Sequence, residues 1–129
     1  MPRFVFRWVM IMGLLGLLLG CDEGAPLKSL PSQLILEAYK PTGELVSKRI
    51  LGTDDPVYQG LTQLLNTEQS GWQRSFVSYK TGPYILRGEN LIIRCYANMM
   101  VIDVVESGSS TSMKKNIPNL LQSLSLPAN

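Results

Sequence analysis

Few side chains in this 129-residue sequence are of the types that carry out chemistry. There is no histidine, which removes the commonest general base and the commonest metal ligand together. Two cysteines offer thiols, Cys21 and Cys95. Cys95 alternates with Leu91 and Ile93, so its thiol belongs to an apolar layer, where no imidazole exists to activate it. Asp54 and Asp55 could be imagined as an acid pair or a metal site. They stand directly before Pro56, however, where an aspartate caps a helix, and Gly52 and Thr53 fit no calcium-binding loop.

Ser112-Met113-Lys114-Lys115 has the S-x-x-K spacing of penicillin-recognising serine enzymes. It lacks the companion motifs, begins in a Gly/Ser stretch, and lies in a chain much too short for that fold. Glycine motifs that cradle phosphate are absent from the sequence. The expectation is a protein that is not an enzyme, with no catalytic residues, no metal site and no cofactor.

The formal charge of +2 includes Arg3 and Arg7, and without them ten basic side chains face ten acidic ones. A neutral domain has no basic stripe to neutralise phosphates, which argues against a nucleic-acid partner. The remaining cations are scattered, with Lys48-Arg49 and Lys114-Lys115 as the adjacent pairs.

Arg3 and Arg7 precede an apolar run from Trp8 to Leu19, interrupted by Gly13 and Gly16. The run is too short to span a bilayer, which takes about 20 apolar residues, and it has the length and flanks of a signal-peptide core. It ends in Leu18-Leu19-Gly20-Cys21, with an aliphatic residue three places before the cysteine and a small one directly before it. This leader resembles that of bacterial lipoprotein precursors, and the four residues resemble their lipobox. The resemblance covers about a sixth of the chain. It implies that the thiol of Cys21 takes a diacylglyceryl group, that cleavage falls before Cys21, and that the mature protein is held to a lipid bilayer by its acyl chains. It also implies, from the enterobacterial sorting rule, that Asp22 keeps the protein at the outer face of the inner membrane, facing the periplasm. The chain then divides into a signal peptide over 1–20, a lipidated tether over 21–32 and a single domain over 33–129.

Within the domain, Gln33 to Tyr39 alternates as a strand does, Lys40-Pro41-Thr42-Gly43 supplies a turn, and Leu45 to Leu51 returns as its hairpin partner. Asp55 and Pro56 open a helix running to about Thr67, with Val57, Tyr58, Leu61, Leu64 and Leu65 along one stripe and Gly71 closing it. Four more strands are expected over Trp72–Lys80, Tyr84–Arg87, Leu91–Tyr96 and Met99–Glu106. Ser107 to Thr111 reads as a loop, and a short helix beginning after Pro118 carries Leu120, Leu121 and Leu124. The order ββαββββα with short connections indicates an α+β fold with an antiparallel sheet and two helices.

Surface is what remains for function. Trp72, Tyr79, Tyr84 and Tyr96 gather around the later strands, either as core and edge residues or as a protein-binding patch. The strands Leu91–Tyr96 and Met99–Glu106 are apolar on both faces, so something must cover the second face. Either the helices lie on opposite sides of the sheet, or both lie on one side and Ile92, Tyr96, Met99 and Val101 form an exposed patch for a protein partner. With Trp72, these are the candidate binding residues. The expected role is a protein-binding or envelope-complex accessory module, including the inhibitor or immunity type. Carriage of a small apolar ligand is the alternative and an enzyme the outsider.

Overall fold

The computed structural model describes residues 26–27 and 29–128. The segments expected to be a signal peptide and lipobox, with Cys21 as the expected lipidation site and Asp22 as the expected sorting residue, lie outside the described residues. The domain is α+β: one antiparallel sheet and two helices.

Leu34–Tyr39 (β1) and Leu45–Leu51 (β2) form the expected hairpin. Its turn closes through Gly43, whose φ of 89° suits a residue without a Cβ, and Gly43 N–H donates to Lys40 O at 2.8 Å. Helix α1, Pro56–Thr67, starts as the sequence dictates: Asp55 has extended backbone and its Oδ1 accepts from Val57 N–H at 2.9 Å. Arg49 Nη1 donates to the second carboxylate oxygen at 2.5 Å, which joins the cap to β2. The far end of α1 is tied down by Trp72 Nε1, which donates to Glu68 O at 2.7 Å, and by Lys115 Nζ, 2.5 Å from Glu68 Oε2.

After α1 come Gln73–Arg74 (β3), Tyr84–Gly88 (β4), Leu91–Cys95 (β5), Met99–Glu106 (β6), Ser109–Asn116 (β7) and a short helix α2, Leu120–Ser123. The seven strands stand in the order β2-β1-β4-β5-β6-β7-β3, and every pairing is antiparallel. Because β2 and β3 are the two ends of that order, the connection carrying α1 must cross the whole sheet, about 29 Å at the usual strand spacing. The return from β3 to β4 passes β7, β6 and β5 through residues 75–83.

Both helices lie on one face of the sheet. Val57, Leu61 and Leu65 of α1 share a single buried cluster with Leu120 and Leu121 of α2, with Leu124 beyond it, and with the strand residues Leu34, Leu86, Ile93, Cys95, Met100 and Ile102. Gly60 lets the helices meet, since a Cβ there would lie 3.2 Å from Ser123 O. Trp72 fills the same layer, and burying side chains of this size is the main drive for closing the fold.

The structure differs from the sequence reading in three elements. The strand expected over Trp72–Lys80 is only Gln73–Arg74, with Ser75 N–H adding one ladder bond to Ser112 O at 2.8 Å. The loop expected over Ser107–Thr111 is instead a tight turn at Ser107-Gly108 followed by β7. Both turn residues have positive φ, 50° and 78°, the backbone that joins two antiparallel strands with the right twist. The segment assigned to the tether is partly docked as well. Leu27 and Leu30 pack against the core, and Tyr58 Oη donates to Pro31 O at 2.8 Å. Pro31 also fits where Gly88 has no side chain.

Candidate protein-binding surfaces

The residues with chemical potential are occupied structurally. Cys95 is fully buried in the core cluster, and burial pushes its thiol up to about 12, so at neutral pH it stays protonated. Asp55 is the helix cap; the hydrogen bond from Arg49, against the opposing effect of burial and with help from Val57 N–H, holds its carboxyl below the usual range. Ser112 and Lys115 lie three apart on β7, so their side chains leave opposite faces. Ser112 Oγ donates to Asp103 Oδ1 at 2.5 Å while Lys115 binds Glu68, and the two do not meet. Among the described residues no group of three or more acidic or cysteine side chains is placed to hold a metal ion, and no helix is long and apolar enough to cross a membrane.

The face away from the helices is not the apolar patch that the sequence allowed. Its register lines up Lys48, Glu37, Ile85, Arg94, Val101 and Lys114 in one row and Ile35, Arg87, Ile92, Asp103 and Ser112 in the next. Charged side chains are therefore interspersed among the apolar ones, except at the β2 edge, where Ile50 stands opposite Ile35. Arg87 Nε donates to Glu37 Oε1 at 2.5 Å, and Arg94 pairs with Asp103. The aliphatic stems of these cations flank the apolar residues between them, and Ile85 and Val101 are both buried. Burial pushes the Glu37 carboxyl up, but the hydrogen bond and charge of Arg87, with smaller contributions from Tyr39 and Lys48, outweigh it and leave the group below its ordinary value.

Of the candidate binding residues, Trp72 and Val101 are buried and Ile92, Tyr96 and Met99 are half-buried. Trp72 is corrected to core: its ring lies under the helices and its N–H is used at the end of α1. Val101 is corrected likewise, because it sits between Arg94 and Lys114 in the charged row. Tyr84 also belongs to the core, with its Oη donating to Pro127 O at 2.7 Å.

Tyr96 holds a segment that sequence reasoning misplaced. Its ring packs against Tyr79 at 6.2 Å between centroids, and its hydroxyl donates to Lys80 O. Ser75 Oγ donates to Tyr79 Oη at 2.8 Å, and Ser75 is itself buried. Between these fixed points the chain presents Phe76 and Val77, 91% and 63% exposed. Phe76 and Val77 fall in the run Trp72–Lys80 read as a strand, of which only Gln73–Arg74 is one. The second collection of exposed apolar side chains is on β2, where Leu45, Val46 and Ile50 face solvent. The chain matches no protein-family model, no curated protein and no solved structure.

Proposed function

We infer that this chain is a lipoprotein precursor whose domain, anchored through acylated Cys21 to the periplasmic side of a bacterial inner membrane, binds a protein partner there. It serves as an accessory subunit of an envelope complex or as an inhibitor of the immunity type. The observation that carries the binding reading is the tip Phe76-Val77. An aromatic side chain left 91% exposed gains free energy only when something covers it. Its neighbours are already ordered by the Ser75–Tyr79 and Tyr96–Lys80 contacts, so little conformational entropy is lost when a partner closes over it. Buried aromatic anchors of this kind carry much of the energy of protein interfaces.

The docked Leu27, Leu30 and Pro31 bear on where that partner is. Pro26 is five residues beyond Cys21, and a chain that short reaches at most about 17 Å. A lipid on Cys21 would thus keep the domain beside the bilayer, and the partner is a membrane protein or one delivered to its surface. Two variants test the reading. Cys21→Ser should lose incorporated radioactive fatty acid and processing, and persistent label would overturn the anchor. Phe76→Asp should keep the wild-type thermal melt yet lose the protein that co-purifies from crosslinked membranes; an unchanged set of co-purifying proteins would overturn the binding tip.

A further inference from the structure

We propose that the outer edge of β2, with the groove beside it, takes an extended segment of a protein partner in which acidic residues alternate with apolar ones. This goes beyond the tip at Phe76 and is a second, separate surface. β2 ends the strand order, so among the described residues no strand lies along its outer side. Six of its seven residues are exposed, and Leu45, Val46 and Ile50 among them are 47%, 58% and 62% exposed. The other end of the sheet is finished differently, by a strand of two residues. Short edge strands, prolines and bulges blunt an edge against pairing. β2 has neither the short length nor a proline, and its irregularity is confined to the turn end, where the register shifts between Ala38 and Tyr39.

On the helix side β2 borders a groove of about 470 Å³. Leu36, Ala38, Tyr84 and Leu126 give it apolar surface, Lys40 and Arg49 line it as well, and among the described residues no acidic one does. An added strand would lie about 4.8 Å beyond β2, its side chains alternating between this groove and the opposite face, where Lys48 and Ile50 stand. β2 contributes the cations Lys48 and Arg49 and no carboxylate. Glu44 and Asp55 pair with Lys40 and Arg49 from the turn and the helix cap, and Glu37, opposite Lys48, is bonded to Arg87, so Lys48 is the cation in excess on this edge. The unpaired backbone therefore offers ladder hydrogen bonds, the groove offers apolar contact, and the charge selects glutamate or aspartate. A second copy of β2 would bring lysine and arginine against lysine and arginine, which is unfavourable across a strand pair.

The test uses the full chain in detergent micelles and three fluorescent ten-residue peptides followed by anisotropy. One alternates valine with glutamate and one valine with lysine. The third repeats the glutamate peptide with two adjacent central amides N-methylated, so that neither of its edges is intact. The glutamate peptide should bind at least tenfold more tightly than the lysine peptide, and N-methylation should abolish binding. The double variant Lys40→Gln, Lys48→Gln should remove the preference while the chain stays folded by circular dichroism, whereas Phe76→Asp should leave the preference as it is. Equal binding of the methylated peptide would overturn strand addition, and equal binding of both charges would overturn the charge selection. A chain that dimerises through β2 instead of binding any peptide would overturn the choice of occupant. Loss of binding in Phe76→Asp would show that the surfaces are not separate.

Discussion

The two faces of the sheet are made by the same strands, often by adjacent residues, and they are closed by different means. On the helix side, Ile93, Met100 and Ile102 belong to one buried cluster with Trp72, Leu61 and Leu124. On the other side, Ile85, Ile92 and Val101 stand among the Glu37–Arg87 and Arg94–Asp103 ion pairs, and the only further cover among the described residues comes from the returning segment 75–83, which packs on Tyr96. An apolar residue on a sheet face thus needs no helix above it when long cations and a crossing stretch of chain share that face. Apolar content on both faces of a strand is consequently weak evidence for a docking surface. What marks such a surface here is exposure at a braced tip and along an unpaired edge.

Adjacent residues on β5 test that contrast most strongly. Ile93→Ala should destabilise by about 2–5 kcal/mol, because it opens a cavity in a packed layer. Ile92→Ala removes the same atoms from a half-buried site and should cost about half as much by the area it loses. Chemical denaturation of both variants measures the difference, and equal losses would mean that the two faces are equally packed.

A smaller effect is expected from the ion pairs. Arg94→Met keeps the apolar stem but leaves Asp103 without its cation, at a cost of about 1 kcal/mol for a pair that is only partly buried. Restoring neutrality with Asp103→Asn in the same chain should recover part of that loss. If the double variant is no better than the single one, the pair is not coupled.

The smallest effect is one of pH. The folded carboxyl of Glu37 lies below its ordinary value of 4.5, so the unfolded chain takes up the proton first as pH falls. Its contribution is fully present well above pH 4.5 and is lost as pH drops through the lower, folded value. Thermal melts from pH 6 down to pH 3 should therefore fall more steeply for the wild type than for Glu37→Gln. Parallel curves would contradict the role assigned to Arg87.

Much of the fold is legible in the residues themselves. The Asp55-Pro56 start, the stripe through Leu61 and Leu65, and the Lys40 to Gly43 turn each state their geometry locally. β7 is not legible in this way, since Ser109 to Asn116 buries only Met113 and lies one place in from the edge, where a polar strand is tolerated. The turn that sets it up, Ser107-Gly108, was hidden within a stretch of serine and glycine that reads equally as a loop. Trp72–Lys80 misled in the opposite direction: its β-favouring residues include Phe76 and Val77, which pair with nothing and stay exposed. Of the candidate site, Tyr96 was found for its position, but its role as the brace of residues 75–83 depends on a crossing of the sheet that local sequence does not encode.

The binding tip is tested most directly by placing a photocrosslinking amino acid at position 76 of the full chain in living cells, with position 62 on the outer, exposed side of α1 as the control. The account predicts a discrete adduct of higher mass at 76, none at 62, and loss of the adduct when Cys21→Ser removes the anchor. Adducts of the same pattern from both positions, or none from position 76 in a correctly processed protein, would contradict it.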